Sequence, residues 1–222
     1  MDQPKVEKFW QAVVDQGTVL DELLAASPGV FKAQEAFERI CEIEETMRSA
    51  VHDIDPLLSA DLDHGYSNDA KVLMIIVTCN DNPAGIEAVQ QLVAAAPAVP
   101  PCFKVCAFRP AIPKERMCER GFLSVQGTQL HAEEVRFMAL PAHAMPGTFD
   151  IACFVPPSSQ TEMDPDKVPG AFAAYTVLSM GIGELRFMTR IKRLKVAVTE
   201  QVPDEAAFAW DLLDTIDQAP TQ

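Results

Sequence analysis

Cys79-Asn80-Asp81-Asn82 packs the most potential chemistry into the fewest residues of this sequence. It follows a wholly apolar, largely β-branched run, Val72 to Thr78, and precedes Pro83 and the helical spacing Ile86, Val89, Leu92 and Val93. A loop in that place points the first amides of a helix outward, and a helix N-terminus favours an anion or a thiolate. Cys79 is therefore the candidate nucleophile. The alternative is that Cys79 closes a buried strand while Asp81 or Asn82 caps the helix. The loop has neither the glycine spacing and lysine of a nucleotide cradle nor the neighbouring arginine of a cysteine phosphatase loop.

Arg109 ends a second apolar run, Phe103 to Phe108. If the two runs are parallel strands joined by the helix between them, Arg109 emerges beside Asn80 and Asp81, where open α/β sheets place ligands. Asn80, Asp81 and Arg109 then form a candidate site for a small charged ligand, or a structural ion pair. Glu184 joins them on one condition. If segments 121–125, 134–140 and 148–155 alternate in direction within one sheet, the helix over 166–182 ends on the edge of Arg109; if 121–125 is a loop, Glu184 falls at the opposite end.

Metal chemistry finds little support. Cys102 and Cys106 have no second pair or suitably spaced histidine to complete four ligands. Asp61 to Asp69 alternates oxygen-bearing residues as a calcium loop does, but Tyr66 stands where glycine is wanted and Val72 replaces the closing glutamate. It reads as a solvated loop. No metal and no cofactor follow from the sequence.

The elements that must position these residues come from periodicity. Val6, Phe9, Trp10, Val13, Val14, Leu20, Leu23 and Leu24 predict a helix over 4–26, or two short ones broken near Gly17. Phe37, Ile40, Cys41, Met47, Val51 and Ile54 predict a second, stopped at Asp55-Pro56. The polar stretch 59–70 reads as a junction. Then come a strand, a helix and a parallel strand; the three short segments, with turns at Gly127 and Pro146-Gly147; a helix over 166–182; a strand over 190–199; and a helix over 204–216. The expected fold is α+β: a mixed β-sheet of five to six strands with a parallel β-α-β unit and helices largely on one face, preceded by an N-terminal antiparallel helix pair. One domain is expected over 1–222, with the acidic helical pair at 1–58 and the sheet body at 70–222.

The segments Leu73-Met-Ile-Ile-Val-Thr, Gln91-Leu-Val-Ala-Ala-Ala-Pro, Val105-Cys-Ala-Phe-Arg-Pro and Gly181-Ile-Gly-Glu184 resemble a group of bacterial α+β proteins of similar size with no assigned function. The resemblance implies that these segments share one fold and carries over no catalytic residue. Cys79-Asn-Asp-Asn-Pro departs from the Ala-Asx-Gly turn of that group.

Charge supplies the last clue. Of the net −14, residues 1–69 hold fifteen acids against five bases, 70–149 hold six against seven, and 150–222 hold eleven against six. The acidity belongs mainly to the first helices and favours a basic protein partner over nucleic acid or anionic membranes. Arg186, Arg190, Lys192, Arg193 and Lys195 run without an intervening acid, so the alternative to a basic protein partner is a homodimer in which the helix pair of one copy meets this stretch in another. The opening Met1-Asp2-Gln3-Pro4-Lys5 has no basic segment followed by an apolar core, and the run 72–77 is far short of a membrane span. With the six cysteines read as reduced thiols, a cytoplasmic location is expected. The expected function is a non-enzymatic binding or protein-interaction module; the alternative is a small-molecule-binding protein or enzyme with its site near Asn80, Asp81 and Arg109.

Overall fold

The computed structural model describes residues 1–25, 33–63, 72–120, 122–125, 128–142 and 145–218, with backbone alone for 19–25, 33–37, 120, 122–125 and 128. The protein is α+β, with seven α-helices among the described residues, and it divides into two compact units, Met1–Arg109 and Pro110–Gln222.

The first unit opens with helices α1 (Gln3–Ala25) and α2 (Ala33–Ile54), which contact each other as a pair. Helix α1 buries Val6, Phe9, Trp10 and Val13 at helical spacing and runs unbroken through Gly17. A Cβ at Gly17 would lie 2.7 Å from Pro100 Cγ and 2.8 Å from Phe103 Cε2, so the missing side chain lets α1 approach that segment instead of breaking the helix. The Cys102 thiol donates to the Gly17 carbonyl at 3.4 Å, and the Trp10 indole N–H donates to the Leu92 carbonyl at 3.0 Å. The buried stripe of α2 is Ile43, Met47 and Val51; Cys41, expected on that stripe, is exposed.

Beyond α2 lies strand β1 (Ser59–Asp63), where the sequence reads as a junction. It pairs antiparallel with β2 (Leu73–Thr78), and β2 pairs parallel with β3 (Phe103–Ala107) in the order β1-β2-β3. Strand β2, apolar from Leu73 to Val77 and closed by Thr78, is the central strand, and all six of its residues are buried. Its crossover to β3 passes through α3 (Ile86–Ala94), as the spacing of Val89 and Leu92 predicts.

The second unit has α4 (Lys114–Arg120), the hairpin β4 (Phe122–Val125) with β5 (Thr128–His131), and a mixed four-stranded sheet. That sheet joins β6 (Arg136–Pro141), β7 (Phe149–Val155), β8 (Ile191–Val198) and β9 (Ala207–Phe208) in the order β8-β7-β6-β9. The β6–β7 hairpin turns at Pro146-Gly147, with the Thr148 amide on the Met145 carbonyl at 3.1 Å. Strands β7 and β8 are parallel, connected through α5 (Ala171–Ile182) and α6 (Glu184–Arg190). Residues 207–208, expected in a helix over 204–216, pair with β6 instead, and the C-terminal helix α7 is Leu212–Gln218. Helix α5 packs on β7 and α7, burying Ala173, Ala174, Val177, Leu178 and Ile182.

Among the described residues, the expected single sheet of five to six strands is thus three sheets, of three, two and four strands. Pro110 and Pro113 have no backbone N–H for a ladder and end the run of β3, and β4 pairs with β5 in a hairpin of its own. No helix among the described residues is long and apolar enough to cross a membrane.

Candidate functional site

The loop after β2 is a tight turn built by its own residue types. The Asn82 amide donates to the Cys79 carbonyl at 3.0 Å, and both central residues, Asn80 (φ 52°) and Asp81 (φ 60°), lie in the left-handed region. Asn and Asp enter that region more readily than other side chains, because their short polar groups bond locally. The Asn80 amide bonds to Thr78 Oγ1 at 3.0 Å, and Asn82 Oδ1 accepts from the Ala84 amide at 3.1 Å at the head of a short 3₁₀ turn, Pro83–Gly85. One amide at the start of this helical segment is therefore satisfied by Asn82, as the capping alternative requires. Cys79 is 1% exposed. A Cβ on Gly85 would come within 2.5 Å of the Cys79 Cβ, so the 3₁₀ turn is seated directly on the cysteine. A substrate reaches that sulfur only if the turn lifts.

Arg109 stands two residues past the end of β3, following Phe108, which is itself left-handed (φ 63°) and anchored by its amide on the Val77 carbonyl at 2.8 Å. The guanidinium crosses the end of β2 to the opposite edge strand. Its Nε and Nη2 donate to Asp61 Oδ2 of β1 at 3.1 and 2.7 Å, and Nη2 also donates to Asn80 Oδ1 at 2.9 Å. The other oxygen of Asp61 faces Arg48 of α2 at 3.6 Å, and Arg48 is in turn bonded to Glu44 at 2.6 Å and Glu45 at 3.2 Å. Two arginines thus bracket one carboxylate. Burial pushes the Glu44 carboxyl above its ordinary range, and the nearby negative charges of Asp61 and Glu45 add to that against the opposing pull of Arg48.

The structure brings Asn80 and Arg109 together as the strand arrangement predicts, with Asp81 in the adjoining turn. Glu184 belongs to the second unit, fully buried at the first position of α6. The parity condition that would join it to Arg109 presupposes one continuous sheet, and the strands between them belong to separate sheets. Sequence reasoning placed Asp61 in a solvated, calcium-like loop and missed it as the partner of Arg109. The available signal was period-two alternation over Ser59-Ala60-Asp61-Leu62-Asp63, whose acids made a strand look like a solvated loop. The rest of the calcium-like stretch, 64–69, lies outside the described residues. Among the described residues, no group of three or more His, Cys, Asp or Glu side chains is placed to hold a metal ion.

Chemically, this edge is a cation held by an acid and an amide, with a buried thiol behind it. Comparison with protein-family models, curated proteins and solved structures finds no match, so side-chain geometry alone carries the functional reading.

Proposed function

We propose that this chain is a non-enzymatic protein-interaction module that presents its acidic helix pair to a basic partner protein. The supporting observation is the surface charge of α1 and α2. Glu7, Asp15, Glu38, Glu42 and Glu45 are exposed, while Arg39 and Arg48, the arginines of the pair, are already bonded to Glu42 and to Glu44 and Glu45. Acids outnumber bases over α1 and α2, and this excess negative charge creates a field that reaches roughly 8–10 Å at physiological salt and speeds encounter with a basic surface. The test compares the wild type with a variant carrying Glu7→Gln, Asp15→Asn, Glu42→Gln and Glu45→Gln, by crosslinking and capture across a salt series. A partner retained by the wild type at low ionic strength, released as salt rises and absent from the variant supports the reading. Identical retention by the two proteins overturns it.

A second reading, a small-ligand site at the carboxyl ends of β2 and β3, is favoured by one observation. Asn80, Asp81 and Phe108 all hold left-handed backbone around Arg109, and backbone strain of this kind clusters at ligand clamps. Amide chemical shifts on titration with a small dicarboxylate test it. Changes confined to 79–82 and 108–109 and abolished by Arg109→Met support the site; changes that persist in that variant remove it.

A further inference from the structure

Strand β8 is the longest strand among the described residues and ends its sheet: β7 lies on one side, and no described strand pairs with the other. Its start is irregular. Register passes from Phe149 opposite Ile191 to Asp150 opposite Arg193, leaving Lys192 as an extra, exposed residue. A bulge bearing a lysine is a common guard on a sheet edge. From Arg193 to Val198 the strand is regular, and its two faces differ.

On the core face, Leu194, Val196 and Val198 lie opposite Ile151, Cys153 and Val155. The three β7 residues are buried, whereas all three β8 residues remain half-buried. An apolar rim is left open along the edge. On the other face, Arg193 and Lys195 are exposed beside Ala197. Asp150 pairs with Arg193, at 3.1 Å to Nε and 2.9 Å to Nη2, and Lys195 has no ion pair among the described residues.

We propose that the open edge of β8, over Arg193–Val198, takes an extended acidic segment of a partner protein as an added strand. Backbone pairing would supply affinity, and alternate side chains would supply specificity. Apolar residues of the added strand would cover the rim of Leu194, Val196 and Val198, and carboxylates on its other face would meet Arg193 and Lys195. Charge decides against the β8 edge of a second copy as the added strand. Antiparallel pairing of β8 with its own twin sets Lys195 beside or diagonal to the twin's Lys195, and like charges so placed across a ladder are destabilising. No residue of the acidic helices enters this proposal, so it stands or falls independently of the reading above.

The test uses the full chain and a fluorescent, end-capped peptide of about eight alternating valine and glutamate residues at neutral pH, followed by anisotropy. Two control peptides replace glutamate with lysine or carry N-methyl groups on alternate amides of the pairing edge. The expected result is saturable binding of the valine–glutamate peptide, about tenfold or more weaker for each control. Amide exchange within 193–198 should slow on binding. Lys195→Glu, an exposed change whose fold is checked by circular dichroism, should weaken the valine–glutamate peptide by about tenfold and favour the valine–lysine one. Equal binding of the N-methylated peptide overturns the proposal, since contact would then not be strand addition. So does no binding up to about 1 mM peptide, or a dimer in sedimentation whose formation protects the 193–198 amides.

Discussion

Cys153 sits in the middle of β7, and burial pushes its thiol up to about 12. Burial also raises Cys106, against the opposing pull of Lys104. Cys41 and Cys118 are exposed, and Cys79 and Cys102 are buried. Because the thiolate is the attacking species, an aromatic disulfide reagent at neutral pH should modify Cys41 and Cys118 first. Cys79, Cys102 and Cys153 should stay unmodified until denaturant unfolds the chain, with mass spectrometry locating each label. Modification of Cys79 as fast as Cys41 would mean that the turn over it opens, and would return it to consideration as a nucleophile. A second residue-scale prediction concerns Asp164, whose carboxylate accepts from the Thr161, Gly170 and Phe172 amides at 3.1, 2.9 and 3.0 Å and so satisfies donors at the head of α5. Burial acts to raise this carboxyl, but the amides of Phe172, Thr161 and Gly170 together outweigh it and hold the group below the usual carboxylate value. The stabilisation it contributes is therefore complete above the unfolded carboxylate range and is lost as pH falls through the lowered native value. Asp164→Ala should cost about 1–2 kcal/mol near neutrality in urea unfolding, with the gap to wild type narrowing in acid. A gap that persists at low pH would assign the loss to packing rather than to charge.

Among elements, α1 shows how a residue's intrinsic preference and its surroundings oppose each other. In an isolated helix, alanine is better than glycine by about 1 kcal/mol. At position 17 the added methyl would run into Pro100 and the buried Phe103, and overpacking of that kind costs about 1–3 kcal/mol. Gly17→Ala should therefore lower the unfolding midpoint, followed through the fluorescence of buried Trp10; a raised midpoint would show that Phe103 yields without cost. Elements whose signal is local are legible in the sequence: α3 by the apolar spacing of Val89 and Leu92, β2 by its unbroken apolar run, and the β6–β7 turn by Pro146-Gly147. The elements that escape such reading are those whose stability comes from neighbours. Strand β9 has two residues, yet it is held on β6 with Arg136 lying 3.3 Å over the Phe208 ring and Phe208 stacked on Trp210 at 4.5 Å. Helix α6 follows Gly183, which ends α5 and hides the restart at Glu184.

For the whole molecule, a net charge of −14 with a pI near 4.6 predicts a solubility minimum close to that pH, seen as rising light scattering as acid is added, because self-repulsion vanishes there. Scattering that stays flat through that pH would indicate that exposed carboxylates such as Glu42 and Glu45 do not keep the chains apart. By itself the sequence determined the short-range features. These are the burial of β2, the stripe of Val6, Phe9, Trp10 and Val13, and the separation of acidic helices from the basic run ending at Lys195, since each depends on residues within a few positions of one another. Only the tertiary structure decided which strand lies beside which. It placed β1 against β2, so that Arg109 is committed to Asp61 from 48 residues away, and it made β8 the last strand of its sheet, with an apolar rim half open. The physical reason is that strand partners are selected by the burial available to whole elements and by the entropy of closing the chain between them, and neither is written in local spacing.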